Sequence, residues 1–560
     1  MQQPTQGPGE RKKFTVAIEG CCHGELDNIY ATLAHLEKVE GRKVDLLICC
    51  GDFQAVRNMD DLETMSCPVK YRDIMTFYKY YSGEKLAPVP TLFIGGNHEA
   101  TNYLWELHYG GWAAPNIYFL GYAGAVRFGG HRIAGLSGTY VAQHYHMGHH
   151  EKLPYDERAV KSAYHVRQLH VHRLMQLQQP TSIFLSHDWP NLITRYGNSR
   201  WLFSKKPYFQ KEAERGDLGS PPNQQLLEVL QPDYWFSAHL HVKFPAVVPH
   251  WQQQQQQQQG QQQQQQQSPG NNQKATRFLA LDKCLPGRDF LQVVELDVQG
   301  PLELCYDAEW LAVLRSTHQL MSTSRTAPPL PDTRTGPKAE DVAFVEQLLQ
   351  QRGSSSIPNN FAPTAPAYDP AAGRARGNMP RADLRNPQTE ALLEMLQLPY
   401  NLDHAASSSG AGRAWVNRPA AAATGGGTAY RAPLNLLSQQ QGNPEEIDIE
   451  SDDSDGQPAA AAGAAAAAAA AADTFEIPLD DDEDDAAAAG SEGAGGALAD
   501  GAPDSDNEAA KAAPEAGSSE APQQQGRSAA AAAASGQQPS DLDDPMFGRV
   551  NTSEFPYYNS

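Results

Sequence analysis

Two kinds of apolar pattern organise the first 320 residues. Short apolar or β-favouring runs predict strands at Phe14–Glu19, Val44–Cys50, Thr91–Ile94, Arg132–Leu136, Ser182–Leu185, Tyr234–Ser237, Phe278–Leu281 and Phe290–Leu296. The unbroken run Val44–Cys50 reads as a strand buried on both faces. Between the first two strands, Leu26, Ile29, Tyr30, Leu33, Leu36 and Val39 recur at helical spacing until Gly41 stops the helix. Further helices are predicted at Tyr103–Leu107, at Glu157–Leu177 ahead of Pro180, and at Asn223–Leu230. Strand, helix and strand in this order make a βαβ unit and an α/β fold. Residues 53–90 read as irregular and rich in aromatics, and Ser137–Tyr155, rich in His and Tyr, reads as a long loop.

Composition changes the picture after about residue 320. Of 18 His, 17 precede Met321, as do all seven Cys. From Met321 on, 35 acidic residues stand against 14 basic ones, so −21 of the chain's −22 belongs there and the first part is nearly neutral. Net charge therefore does not announce a nucleic-acid partner. The expected organisation is a disordered segment 1–13, one catalytic domain over 14–320 and a mostly disordered Ala, Pro, Gly and acid-rich tail over 321–560. Within the tail, Leu392, Leu393, Met395, Leu396 and Leu398 suggest a docking helix at 386–398, and the acidic run Asp480–Asp485 reads as solvating. A Gln-rich tract at about 250–275 reads as a disordered insertion in a surface loop, which costs loop entropy only logarithmically. The odd cysteine count, with adjacent pairs Cys21-Cys22 and Cys49-Cys50, suits a reducing compartment. No apolar signal region is present at the N-terminus, and the Ala run 464–472 is too short and weakly hydrophobic to span a bilayer. The expectation is a soluble, intracellular protein without membrane contact.

The chemistry sits at the strand ends. Cys21-x-His23, Asp52, Asn97-His98, His187 and His239-x-His241 each follow an apolar run with a small residue nearby, and such ends converge on one crevice. In extended backbone i and i+2 point the same way, so each x-spaced pair is expected to face one cluster. Seven N, O and S ligands (Cys21, His23, Asp52, Asn97, His187, His239, His241) exceed the three or four of one tetrahedral zinc. They suit two cations sharing a carboxylate, with Asp52 as the bridge. Such a pair polarises a phosphoryl group and lowers the pKa of a shared water, which is the chemistry of phosphoester hydrolysis.

Gly51-Asp52, Gly96-Asn97-His98-Glu99 and Ala238-His239-Leu240-His241 resemble the motif series of the calcineurin-like metallophosphoesterases. E-G-C-C-H-G-E-L-D, C-C-G-D-F-Q-A-V-R-N, Y-Y-S-G-E-K, F-I-G-G-N-H-E-A, G-G-W-A-A-P-N-I-Y, F-L-S-H-D-W-P and Y-W-F-S-A-H-L-H-V-K-F narrow it to the RNA lariat debranching enzymes, over roughly 14–315. The resemblance implies a two-sheet αββα sandwich and hydrolysis of the 2′–5′ phosphodiester at the branch point of excised intron lariats, in the nucleus. It implies that one cation takes Cys21, His23, Asp52 and His241 and the other Asp52, Asn97, His187 and His239, with His98 as general acid. It also implies a recognition loop near 137–167, in which Tyr140, His144, Tyr145 and His146 meet the RNA. The wider superfamily carries Asp where this chain has Cys21, and a thiolate favours Fe2+ or Zn2+ over Mg2+, with Mn2+ a further choice. The implied partner is branched intron RNA, with protein partners through the tail. The competing readings are a generic metallophosphoesterase acting on phosphoproteins or nucleotides and a non-catalytic scaffold of the same fold.

Overall fold

In the computed structural model, residues 12–250, 274–331, 333–373 and 375–404 are described. The Gln tract, most of the predicted N-terminal segment, the Ala run and the tail beyond residue 404 lie outside them.

Among the described residues, thirteen strands form two sheets. They are β1 (Lys13–Glu19), β2 (Leu46–Cys49), β3 (Thr91–Phe93), β4 (Gly111–Ala114), β5 (Ile117–Phe119), β6 (Ala123–Phe128) and β7 (His131–Leu136). Then follow β8 (Ile183–Ser186), β9 (Tyr234–Ser237), β10 (Phe244–Pro249), β11 (Ala275–Ala280), β12 (Leu291–Asp297) and β13 (Cys305–Tyr306). One sheet runs β12-β1-β2-β3-β5-β4 and the other β10-β11-β9-β8-β7-β6-β13. The strands that end at the site, β1, β2 and β3 in one sheet and β8 and β9 in the other, are parallel to their neighbours in that group.

Alternation along the strands explains the layering. Phe14, Val16 and Ile18 of β1, Leu46 and Ile48 of β2 and Leu92 of β3 face Ile133, Leu185, Phe236 and Leu279 of the second sheet in one core. The intervening Ala17, Leu47, Cys49 and Phe93 turn outward under the helix Leu26–Glu40, which contributes Leu26, Ile29, Leu33 and Leu36. Period two thus buries both faces of each sheet, giving the αββα sandwich. The helix stops where predicted: Gly41 is left-handed (φ 67°) and its N–H bonds to the Glu37 carbonyl.

Three expectations need correction. The helix at Glu157–Leu177 is two helices, Glu157–Ser162 and Gln168–Met175. The chain between them turns back, with the Val166 amide donating to the Thr139 carbonyl (2.9 Å). The long loop after β7 contains a short helix, Ala142–Tyr145. The boundary at 320 is also misplaced, because residues 321–404 pack on the core. Helix Ala339–Arg352 buries Val345. Thr364 Oγ1 accepts from buried Arg57, itself paired with Asp61 and Glu106. The predicted docking helix exists as Pro387–Met395, and it does dock. The Gln388 amide donates to the Trp112 carbonyl and accepts from the Trp112 N–H, closing the open edge of β4. At the other end, Lys13 already belongs to β1, so the ordered part begins before residue 14. The Gln-rich insertion falls between β10 and β11, an antiparallel pair running from Phe244–Ala280 to Pro249–Ala275. No helix of the described residues is long and apolar enough to cross a membrane.

Candidate metal centre

Turns at the ends of β1, β2, β3, β8 and β9 deliver the predicted ligands to one place. Cys21, His23, Asp52 and His241 form a group whose ligand atoms all lie within 4.8 Å of one another. His23 Nε2 is 3.4 Å from His241 Nε2 and 3.8 Å from Asp52 Oδ2. On the other side of the same carboxylate, His187 Nε2 lies 3.3 Å from Asp52 Oδ1 and 3.1 Å from Asn97 Oδ1. His239 is less drawn in. Its ring centroid is 4.9 Å from that of His187, and its Nε2 lies 3.6 Å from Asp188 Oδ1.

The x-spaced pairs do not reach the site as extended strand, contrary to expectation. His23, Asp52, Gln54, His239 and His241 all have positive φ (45°, 44°, 58°, 66° and 47°), half of the ten such non-glycine residues described. Left-handed backbone costs an ordinary residue about 1–2 kcal/mol. Its concentration here means that the rigid strands behind enforce tight turns in order to aim these side chains. Two glycines make the room. A Cβ at Gly51 would stand 2.2 Å from His187 Nδ1, and one at Gly96 would stand 2.2 Å from Asp52 Oδ1.

The donor set fits cations. The carbonyl of Cys50 only accepts, so His187 Nδ1–H donates to it (2.9 Å) and Nε2 faces outward. There it meets two oxygen acceptors, Asn97 Oδ1 and Asp52 Oδ1, an arrangement that requires either a proton or a cation between them. Burial pushes the Asp52 carboxyl up, but the imidazoles of His187, His98 and His23 overcome it and hold Asp52 well below the usual carboxylate range. Burial lowers His23 to about 3 and holds His241 well below the imidazole range, so both are neutral ligands at pH 7. Burial raises the Cys21 thiol, and a bound cation would ionise it. With metal–nitrogen bonds of about 2.0–2.1 Å, tetrahedral ligands stand about 3.3 Å apart, close to the His23–His241 and His187–Asp52 separations.

His98 is beside the cluster but not in it. Its backbone N–H donates to Asp52 Oδ1 (2.8 Å), and its half-buried ring stands 5.6 Å, centroid to centroid, from that of His23. Of the recognition-loop residues, Tyr140, Tyr145 and His146 line an open groove with Pro221, Gln224 and Glu228. His144 instead turns back onto His165, Nδ1 to Nδ1 at 2.7 Å with the rings stacked, so it braces the loop.

Sequence reasoning did not assign three supporting residues. The Glu99 carboxylate accepts from the N–H groups of Phe53 (2.7 Å), Gln54 (2.9 Å) and Gly96 (3.0 Å), tying the turn after β2 to the turn after β3. Gln54 lies 3.1 Å from His23 Nδ1, the ring nitrogen opposite the cluster. Asp188 faces His239 with one oxygen and accepts the Tyr140 N–H with the other (2.7 Å). Adjacency to a ligand is the only signal the sequence offers for Glu99 and Asp188.

The geometry can now be set beside known proteins. Residues 14–243 match the family described as "Calcineurin-like phosphoesterase", and residues 273–401 match "Lariat debranching enzyme, C-terminal domain". A "Lariat debranching enzyme" of Arabidopsis thaliana is 51% identical over 389 residues, 69% of this chain and 87% of that protein. The chain belongs to the lariat debranching enzyme family. Similarly named proteins of Drosophila melanogaster (52% over 383 residues, 64% of this chain and 72% of that one) and Homo sapiens (49% over 381 residues, 67% of each) agree. The lariat debranching C-terminal match also spans the 321–404 region that packs on the core, consistent with the corrected boundary.

Proposed function

We propose that this chain is a metal-dependent phosphodiesterase that opens the 2′–5′ linkage at the branch point of excised intron lariats. The observation that carries the reading is the cage of Cys21, His23, Asp52 and His241, with Asp52 shared by His187 on its far side. Relatives named lariat debranching enzyme, about half identical to this chain, support the choice of substrate. Two divalent cations held there would polarise the phosphoryl group and acidify a water between them. The soft thiolate of Cys21 favours Fe2+ or Zn2+ over Mg2+ in the first position.

The remaining work falls to the chain's own groups. Asp52 stays ionised and faces both ligand sets. His98, held by its own backbone to Asp52 and open to the crevice, gives a proton to the departing 2′-oxygen. Tyr140 and Tyr145, rings 5.5 Å apart at the mouth of the groove, offer flat faces to an unpaired base near the branch. Asp188 couples the two ends, since it fixes the Tyr140 backbone and faces His239. This reading places the enzyme in the nucleus with spliced introns, which fluorescence microscopy of a tagged chain checks.

The test is a branched RNA and a linear RNA of equal length, each incubated with the purified chain and with Fe2+, Zn2+ or Mn2+ added back singly. Cleavage of the 2′–5′ bond with survival of the 3′–5′ bonds is expected. Equal cleavage of both RNAs would leave only a general phosphoesterase, and fewer than about one ion per chain with no cleavage would leave a scaffold.

A further inference from the structure

Three histidines that this chemistry does not use meet elsewhere in the fold. His108 follows helix Thr101–Glu106, His149 lies just after the short helix of the recognition loop, and His170 is in helix Gln168–Met175. All three are buried, and one ligand nitrogen from each lies within 4.8 Å of the others. The rings of Trp105 and Tyr122 wall the cluster, with Tyr122 stacked on His108 at 4.8 Å.

A buried imidazole ordinarily satisfies both nitrogens, because leaving one unpaired costs about 1–3 kcal/mol. Here one bond joins His149 Nε2 to His170 Nε2 (2.6 Å). Both nitrogens of His108, and Nδ1 of His170, have no hydrogen-bond partner among the described residues. Burial holds all three rings well below the ordinary imidazole range, so each keeps a lone pair at neutral pH. The facing charges are accounted for as follows. Arg167 is paired with Glu151, and His404 with Asp383. Arg173 bonds Thr317 and stands over the Tyr109 ring, leaving one uncompensated positive charge.

We propose that His108, His149 and His170 form a structural site for one transition-metal cation of the Zn2+ class, separate from the dinuclear pair. Three neutral nitrogens without a carboxylate exclude Mg2+ and Ca2+, which require oxygen, and suit Zn2+ with one further position for water. Opening the His149–His170 pair from 2.6 Å to the tetrahedral spacing of about 3.3 Å is a small side-chain rotation. The guanidinium of Arg173 opposes a dication, so the site binds more weakly than a thiolate site would. What it joins gives it purpose. Helix Thr101–Glu106 follows the Asn97-His98 turn, His149 closes the recognition loop, and helix Gln168–Met175 underlies that loop. One cation would rivet the loop's base to the element beside the catalytic turn.

The full chain, stripped with a chelator, reloaded with Zn2+ and dialysed, is analysed by elemental mass spectrometry. Wild type should hold about three ions and His108→Phe, whose ring fits the same aromatic wall, about two; Asp52→Asn, which breaks the dinuclear cage, should keep about one. Two ions in wild type, or an unchanged count in His108→Phe, would overturn the site. If the variant does not fold, anomalous scattering at the zinc edge from wild-type crystals decides. A peak among the three rings is expected, and its absence leaves only a hydrogen-bonded or hydrated histidine cluster.

Discussion

Gly96→Ala adds one methyl group between the two halves of the metal centre. The new Cβ would stand 2.2 Å from Asp52 Oδ1, 2.5 Å from the Asp52 nitrogen and 2.7 Å from His187 Nε2. Ordinary van der Waals contact begins near 3.4 Å, so the shared carboxylate must retreat by roughly 1 Å. The Asp52 backbone is among the atoms met, so no flexible side-chain tip absorbs the clash. Gly96 is not among the glycines with left-handed backbone, which makes alanine conformationally acceptable and confines the damage to space. A misplacement of that size in a catalytic constellation costs about 10²-fold in turnover. The expected result is a folded chain with depleted metal and about 10²-fold lower kcat on branched RNA. Gly41→Ala is the control, because Gly41 is left-handed (φ 67°) with nothing within 4 Å of its Cβ. It should lose about 1–2 kcal/mol of stability and no activity. Near wild-type turnover and full metal in Gly96→Ala would show that Asp52 is not the bridge.

Three further outcomes follow from other parts of the molecule. His98→Ala should retain its metals while losing about 10²–10⁴ in kcat, since it removes proton transfer alone; parallel loss of metal would reassign His98 as a ligand. Buried Glu151 accepts from Ser162 and Arg167, both at 2.6 Å. Burial raises its carboxyl, but Arg167 more than offsets this and sets the folded value below the unfolded one. Its stabilisation is therefore present above about pH 4.3 and fades as pH falls through the folded pKa, and Glu151→Ala should cost about 3–5 kcal/mol in neutral denaturant melts. A melt unchanged by the substitution refutes the pairing. A chain ending at residue 320 should be insoluble or inactive where one ending at 404 is not. The shorter chain removes Thr364 from the Arg57–Glu106 pair and Gln388 from the edge of β4, and activity in the shorter chain would contradict that packing.

The parts legible in the sequence are those whose signal is local. An apolar run that ends in glycine and then a polar, metal-capable residue marks a strand end, and Asp52, Asn97, His187 and the two x-spaced pairs were found that way. Strands β4, β5 and β6 went unread because they are three to six residues long and sit among Gly, Ala and aromatic positions with no clear alternation. The break at 163–167 is a tertiary effect. Helical propensity continues through it, but Arg167 is drawn into the buried pair with Glu151. Glu99 and Asp188 escaped notice for a related reason: their partners lie 46 and 48 residues away in the chain. Segment 321–404 was misjudged because Pro, Ala and acid dominate its composition, while its few apolar residues find partners on a surface the sequence does not display.

The positive-φ residues of the centre show what the two sheets contribute beyond a scaffold. Five side chains of the site stand on backbone that is costly for them, and an isolated loop would relax out of it. Here the neighbouring positions are pinned. The His23 N–H bonds to the Asp52 carbonyl (2.6 Å), the Ala238 N–H to the His187 carbonyl (3.1 Å), and the Cys50 N–H to the Glu19 carbonyl (3.0 Å). These bonds cross between strand ends, so each tight turn is held by a neighbouring ligand-bearing turn. Glu99 adds three more bonds from one carboxylate, lifted by burial and by the Asp52 charge to about 7 and kept in place by the N–H groups it accepts. The ligands are therefore aimed by one another's backbones, and the cage of donors is a property of the folded chain before any cation arrives.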